Sequence, residues 1–536
     1  MPKSPSRRDR QALWLVPLLL LLVLTEGLLP RAHHHGRRPS GQQTGQRAAL
    51  HSEAVADTAR ISARPRASVP LISVSLVPQA RLRSLPNSFL GLSTETWAVP
   101  GLESDPVATA RVLNLLRIPG DGSLMLRLGG QSTEQTYWRA PNLGVGTEAY
   151  RPGRDWLKML RSLTSASRLH LLIDLNLVAR SPSMAASFAK ALAQAMPRGS
   201  LSGFEVGNEP DIGHRQVRNP LAPAGEPVPS TPRGWDQYTS SQYISLFRAY
   251  ANAVHRVVPS VRMAGPEVFF AGRDAFWIQQ LVAAQRSRLG MLTVHRYPLS
   301  ACTTPTAGDR ATIPRLLGQN ASGGLANELV DAVRIANRSR LPMRLSEFNS
   351  VTCGGAPGVS DAFATALWAP DTLFSIWNVG AAGVNLHLAP TQPNAAFSIS
   401  ASGLTAHPLL YGMIMFARAM GPGAGLAPVS TPGALSHGVK VWAVHSAHNV
   451  LKLLVLDKGA GAVNTAMHLG NHGPATIQRL LAPGPTATSG VTLAGQQLSP
   501  QGQWLGRRVT AQISPVNGTY TVPLPAYSGA LITVHL

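Results

Sequence analysis

Leu169-His170-Leu171-Leu172-Ile173-Asp174-Leu175 is an apolar run of strand length. The helix-patterned Met184–Met196 follows it, and then comes Gly203-Phe204-Glu205-Val206-Gly207-Asn208-Glu209-Pro210-Asp211. A nearly continuous apolar run reads as a strand buried on both faces, and a helix leading to a second such run reads as a parallel βαβ unit. The same texture extends to both sides. Upstream lie Phe89–Leu92 and Leu124–Leu128, and downstream lie Val261–Ala264, Met291–Val294, Met343–Ser346 and Gly383–Leu386. Amphipathic segments at Gln242–Val258, Asp274–Arg288, Leu325–Asn337 and Asp361–Asn378 separate the later runs. Eight strand-like runs alternating with helices predict an α/β fold, a (β/α)8 TIM barrel over residues 85–420. The competitor is a doubly wound open sheet, but no G-x-G-x-x-G follows any run as a dinucleotide site of that fold requires.

A chain of 536 residues exceeds what one hydrophobic core supports, so a second domain is expected. Beyond Gly421 helical periodicity stops. Gly and Pro punctuate short β-prone runs at Val439–His445, Val450–Asp457, Thr465–Leu469 and Ala530–His535, which predicts a C-terminal β-sandwich domain over 421–536. Residues 71–84, with the strand-like Leu71–Val77, are expected to contribute a strand to that sandwich. Residues 31–70 are rich in Arg, Ser, Ala, His and Pro and read as a disordered linker, His33–His35 included. Residues 1–30 carry Arg7, Arg8 and Arg10 ahead of an apolar stretch from Ala12 to Leu24. That is a signal peptide, or an N-terminal membrane anchor if uncleaved, and it predicts a secreted or extracytoplasmic protein.

Charged residues make up only 14% of the chain, against roughly 25% in ordinary soluble domains. The net charge is nevertheless +22, with residues 1–66 contributing +7. Such a field favours anionic partners, an acidic polysaccharide among them, although solubility and an arginine-biased composition explain it equally. No run of five adjacent Lys or Arg occurs, so no nucleic-acid partner is expected.

Catalytic groups of a barrel stand at the C-terminal ends of its strands. The fourth run ends in Asn208-Glu209-Pro210 and the seventh in Ser346-Glu347-Phe348, which places two carboxylates across one mouth. Retaining glycoside hydrolysis needs such a pair about 5–5.5 Å apart, one as nucleophile and one as acid/base. Asn208 is placed to bind the sugar 2-hydroxyl, and Tyr297, after the sixth run, to hold Glu347 ionised. Cys302 and Cys353 fall in the loops after the sixth and seventh runs, which are neighbours in a barrel. In an oxidising compartment they are expected to form a disulfide, the alternative being two small buried thiols.

Gly207-Asn208-Glu209-Pro210 and the stretch Ser346–Asp361 resemble the acid/base and nucleophile regions of glycoside hydrolase family 79. This is the heparanase and β-glucuronidase family, one of the clan A barrels. Phe89–Glu95 and Leu126–Ser132 resemble its first two strands, and the likeness extends from Leu85 through the C-terminal domain. The resemblance implies a retaining β-glycosidase, β-glucuronidase-like, acting on a β-linked uronic acid glycoside without cofactor or metal. Glu209 would be its acid/base and Glu347 its nucleophile, with Glu95, Gln131, Asn208, His295, Tyr297 and His387 as sugar contacts. The rival expectation is a non-catalytic surface protein that binds anionic polysaccharide. Long loops at Arg215–Trp235 and Cys302–Gly324 are expected to wall the cleft.

Overall fold

The computed structural model describes residues 68–138, 150–212, 238–304 and 306–536. The signal or anchor segment, most of the linker and the loop Arg215–Trp235 lie outside the described residues. Among the described residues no helix is long and apolar enough to cross a membrane.

Eight parallel strands close into a barrel. They are β1 (Gly91–Glu95), β2 (Met125–Gly129), β3 (His170–Leu175), β4 (Leu201–Val206), β5 (Met263–Val268), β6 (Leu289–His295), β7 (Met343–Phe348) and β8 (Gly383–His387). Neighbours follow chain order, and β8 closes on β1 with Leu386 opposite Leu92. Local sequence starts the surrounding helices cleanly. Ser181 caps Pro182–Ala195 by accepting from the Met184 amide, and Thr239 with Gln242 forms a capping box on Ser240–Val257. The latter helix buries Tyr243, Phe247, Tyr250 and Val254, a stripe that repeats at helical spacing.

Alternation along the strands divides the side chains between two environments. On β3, Leu171, Ile173 and Leu175 face the helices, whereas Leu172 joins Met125, Ala264 and Met291 inside the barrel. One step up, Ser93 pairs in register with Arg127, and Asp174 with Glu205. The barrel is thus apolar low down and charged beneath its mouth. Arg344 on β7 fills its lower end, donating to Asn385 Oδ1 and to the carbonyls of Ser88, Phe89 and Val384. Gly383 is required beside it, because a Cβ there would run into the guanidinium.

The C-terminal domain is a sandwich of an eight-stranded and a four-stranded sheet. Leu71–Leu76 lies in the smaller sheet, parallel to Val463–His468 and antiparallel to Val429–Ser430. Ile72, Val74, Leu451, Leu453, Tyr520 and Ile532 fill the space between the sheets. The outer face of the larger sheet is also covered: Leu454, Leu456, Leu480 and Leu531 join the barrel's core around helix Pro408–Ala419. Burial on both faces explains why Val450–Asp457 is apolar at nearly every position. Two full strands were not legible in the sequence. Thr519–Leu524 carries Pro523, which suits only the edge that it occupies, and Gln478-Arg479 interrupts the apolar character of Ala475–Leu481. The segment Cys302–Gly324 is less of a loop than expected, since it holds the helix Ile313–Leu317.

A buried ion pair, Lys458 with Asp371, joins the two domains. Asp371, in helix Ala364–Val379, accepts from Lys458 Nζ at 2.6 Å, Trp442 Nε1 at 3.1 Å and Ser322 Oγ at 2.7 Å. Burial would raise this carboxyl, but Lys458 and Lys440 outweigh it and hold it below its ordinary value. A depressed pKa stabilises the fold at neutral pH, and that contribution is lost only as the pH falls through the folded value. Asp371→Ala leaves the Lys458 ammonium buried and unpaired. It is expected to lower the unfolding free energy by about 3–5 kcal/mol, measured as the shift in denaturant midpoint at pH 7.

Candidate active site

The chain leaves β4 through two residues in the left-handed region, Gly207 at φ 76° and Glu209 at φ 49°. Gly207 has no substitute, because its Cβ would lie 2.5 Å from that of Leu177. Glu209 holds a conformation that costs a non-glycine residue about 1 kcal/mol or more, so its surroundings must impose it. Glu134 supplies part of that constraint. Its carboxyl accepts from the Asn208 amide and the Val178 amide, both at 3.0 Å, and ties the end of β4 to the loop after β3. Burial raises Glu134 to about 7, against these two hydrogen bonds.

Glu347 ends β7 beside a register shift that sets it opposite His295 of β6. The Tyr297 hydroxyl donates to its Oε1 at 3.0 Å, and Arg127 Nη1 donates to its Oε2 at 2.7 Å. His387 Nδ1 stands 3.5 Å from Oε2. On the other side, His295 Nδ1 contacts Glu209 Oε1 at 3.0 Å. A carboxylate oxygen of Glu209, a ring nitrogen of His295 and a carboxylate oxygen of Glu347 all lie within 4.8 Å of one another. These atoms form a donor set of the kind that can hold a cation. Each already has a protein partner, however, and the pattern is that of two carboxyls kept in different protonation states.

Exposure decides which acids can reach a substrate. Glu209 and Glu347 retain 8% and 7% accessibility, whereas Glu205 and Glu267 on the barrel floor have none. Glu95 at the same mouth is also 8% accessible, but Glu209 and Glu347 are the pair whose acidities are pushed in opposite directions. Burial would raise Glu347, but His387, His295, Arg127 and the Tyr297 hydroxyl outweigh it and bring its pKa to about 2. Burial raises Glu209 above its ordinary value; a His295 that donated to it or carried a charge would oppose this, while the charges of Glu347 and Asp211 add to it. One group is therefore ionised and the other is held toward its acid form, the division of labour that acid/base and nucleophile require.

The remaining residues singled out from the sequence fall as follows. Asn208 accepts from Arg127 Nη2 at 3.0 Å. Glu95, at the end of β1, accepts from the Ser132 amide at 2.8 Å and lies 3.7 Å from His387 Nε2. Burial raises its carboxyl, with His387 opposing. Gln131 is exposed at the start of the short helix Gln131–Gln135. Cys302 and Cys353 are joined in a disulfide with Cα atoms 6.0 Å apart, beside the short parallel pair Leu299–Ser300 and Val351–Thr352. Arg296 donates to Glu328.

Sequence reading missed the floor that organises the site. Arg127 is fully buried and gathers carboxylates from four strands. It contacts Glu205 Oε2 at 3.0 Å, Glu267 Oε1 at 2.8 Å and Asp174 Oδ2 at 3.5 Å, besides Glu347. The one available signal was a charge at an inward position within an otherwise apolar run, as in Leu124-Met125-Leu126-Arg127-Leu128.

Residues 442–532 match the glycosyl hydrolase family 79 C-terminal beta domain. No curated protein sequence matches the chain. Among solved structures, a 4-O-α-L-rhamnosyl-β-D-glucuronidase from Fusarium oxysporum 12S aligns with a TM-score of 0.68 at 18% identity, over 86% of this chain and 100% of that one. A family 51 arabinofuranosidase from Xanthomonas axonopodis pv. citri aligns with a TM-score of 0.61 at 16% identity, over 87% of this chain and 100% of that one. A family 30 endoxylanase from Clostridium papyrosolvens C71 gives 0.51 at 14% identity, over 87% and 100%. At these identities the likeness is one of fold, that of the barrel glycosidases.

Proposed function

We propose that this glycoside hydrolase, whose C-terminal domain is that of family 79, is an exported retaining β-glycosidase acting on β-linked uronic acid glycosides. The observation that carries retention is the approach of the Glu209 and Glu347 carboxylates, whose oxygens lie within 4.8 Å. That spacing leaves no room for a water between carboxyl and sugar, as inversion needs, and suits direct attack by one carboxylate.

In the first step Glu347 attacks the anomeric carbon while Glu209 passes its proton to the glycosidic oxygen, and the C–O bond of the leaving group breaks. In the second step Glu209, now a carboxylate, takes a proton from water, which displaces Glu347 and restores the starting state. Asn208, oriented through its Oδ1 by Arg127, is placed beside Glu209 to meet the 2-hydroxyl. Glu95 and His387 line the same mouth as acceptors or donors for other hydroxyls.

A uronide is favoured by the family 79 domain and by the net charge of +22, which draws anionic glycosides. The basic, leucine-rich N-terminus and the Cys302–Cys353 bridge favour export to an oxidising compartment. The test is to follow hydrolysis of an aryl β-glucuronide by proton NMR. The β-anomer of the free sugar is expected first, and first appearance of the α-anomer would overturn retention.

The same pair sets the pH dependence. Glu347 must be ionised, so activity is lost on the acid side only as the pH falls through about 2 or the protein unfolds. Glu209 must be protonated, so activity declines as the pH rises through its elevated value. A kcat/KM profile with an acidic optimum is expected. In a Glu209→Gln variant assayed on an activated aryl glycoside, the descending alkaline limb should disappear.

A further inference from the structure

We infer that Glu267, at the end of β5 and out of reach of substrate, is a positioning residue that fixes the tautomer of His295 and through it keeps Glu209 in its acid form between turnovers. The inference rests on Glu209 being the acid/base. His295 is fully buried and stands between two carboxyls. Its Nδ1 lies 3.0 Å from Glu209 Oε1, and its Nε2 lies 3.5 Å from Glu267 Oε1. Among the described residues Nε2 makes no hydrogen bond, and Glu267 Oε1 at 3.5 Å is the acceptor that faces it.

A neutral imidazole has one N–H and one lone pair, and the partner of one nitrogen decides what the other can do. The ring is held neutral, since burial and the Arg127 charge both lower its pKa. Glu267 Oε1 accepts an N–H bond from Arg127 Nε at 2.9 Å and lies 2.8 Å from its Nη2 in an ion pair, so that oxygen is an acceptor and carries no proton. The ring nitrogen facing it must then be Nε2–H. This leaves a lone pair on Nδ1, and the 3.0 Å contact with Glu209 is a hydrogen bond only if Glu209 supplies the O–H. The gap at Nε2 is a few tenths of an ångström above the usual range of about 2.7–3.2 Å, and such contacts commonly tighten when substrate binds.

The groups around Glu267 fit this assignment. Arg127 reaches it from β2, Asp174 from β3, Glu205 from β4, His295 from β6 and Tyr243 from helix Ser240–Val257. A single guanidinium faces three buried floor carboxyls. Burial lifts Glu267 and Asp174 well above the ordinary range, so Glu267 can carry a proton on Oε2 while Oε1 remains an acceptor. When substrate arrives, the Glu209 hydroxyl turns from Nδ1 to the glycosidic oxygen. Its proton leaves with the aglycone as the bond to Glu347 forms, and water returns a proton to Glu209 in the second step. His295 and Glu267 exchange no proton in the cycle.

The experiment uses the full chain. Neutron diffraction, or nitrogen NMR with selectively labelled histidine, is expected to show His295 protonated at Nε2 and unprotonated at Nδ1 in the wild type. Glu267→Gln, whose amide oxygen can replace Oε1, should keep this tautomer and a kcat/KM near wild type. Glu267→Leu should move the alkaline limb of kcat/KM down by about one pH unit. It should also slow aryl β-glucuronides with poor leaving groups about tenfold or more, and those with activated leaving groups less than about threefold. A wild-type proton on Nδ1 would overturn the inference. So would a Glu267→Leu variant that slows both substrate classes equally with an unchanged pH profile. Failure of the wild type on every aryl glycoside would count against the glycosidase reading instead, since the tautomer is observed without substrate.

Discussion

Glu347→Ala is expected to reduce turnover of an aryl β-glucuronide by on the order of 10⁵-fold or more, with the protein still folded. The size follows from the role, because removing a nucleophile leaves only binding and polarisation. The fold should survive because the change subtracts one negative charge from a region where Asp174, Glu205, Glu267 and Glu347 share Arg127. Azide separates this variant from Glu209→Ala. In Glu347→Ala it can enter the vacated space and displace the activated leaving group directly, giving an α-glycosyl azide. In Glu209→Ala it intercepts the covalent intermediate and gives the β-azide. Glu209→Ala should also spare activated leaving groups in the first step, which need no acid. Wild-type turnover by Glu347→Ala, or the same azide anomer from both variants, would remove the assignment of the two roles.

Arg127→Met is expected to be the most damaging single change on the barrel floor, for stability and catalysis together. Arg127 donates to Ser93, Asn208, Glu205, Glu267 and Glu347, and its side chain has no exposure. Without it the floor carboxyls must take up protons or remain as unpaired buried charges, and loss of one partner of such a cluster costs about 3–5 kcal/mol. Glu347 also loses one of the groups that hold its pKa near 2. The acid limb of kcat/KM should therefore move to higher pH in whatever fraction stays folded. Arg127→Lys is not a rescue, since one ammonium cannot span the positions that the planar guanidinium reaches. Denaturant unfolding and the pH profile check the two parts separately. A folded Arg127→Met protein with an unmoved acid limb would show that Arg127 supports the fold alone.

How much of this was legible beforehand differs between residues for physical reasons. Glu209 and Glu347 were visible because each ends an apolar strand run and a barrel puts such ends at one mouth. Tyr297 was visible for the same reason, and its hydroxyl donates to Glu347 at 3.0 Å. Arg127, Asp174, Glu205 and Glu267 were not, although three of them stand inside the quoted runs. A charged residue in a strand reads as a solvent-facing interruption unless the closed barrel is already known to surround it. Glu267 carries a further obstacle: it follows Gly265-Pro266, which looks like a turn rather than the end of a strand.

The sequence by itself determined the architecture, through the alternation of strand and helix periods, and singled out the two carboxyls proposed as catalytic, through their place at strand ends. Those are local properties, carried by a few adjacent residues. Which protonation state each carboxyl holds was decided only by the tertiary structure. Arg127 and Glu347 are 220 residues apart, and His295 and Glu209 are 86 apart. Closure of the barrel brings them within hydrogen-bonding distance and removes water from between them. Charge–charge interaction is strong only at such separations and in such surroundings.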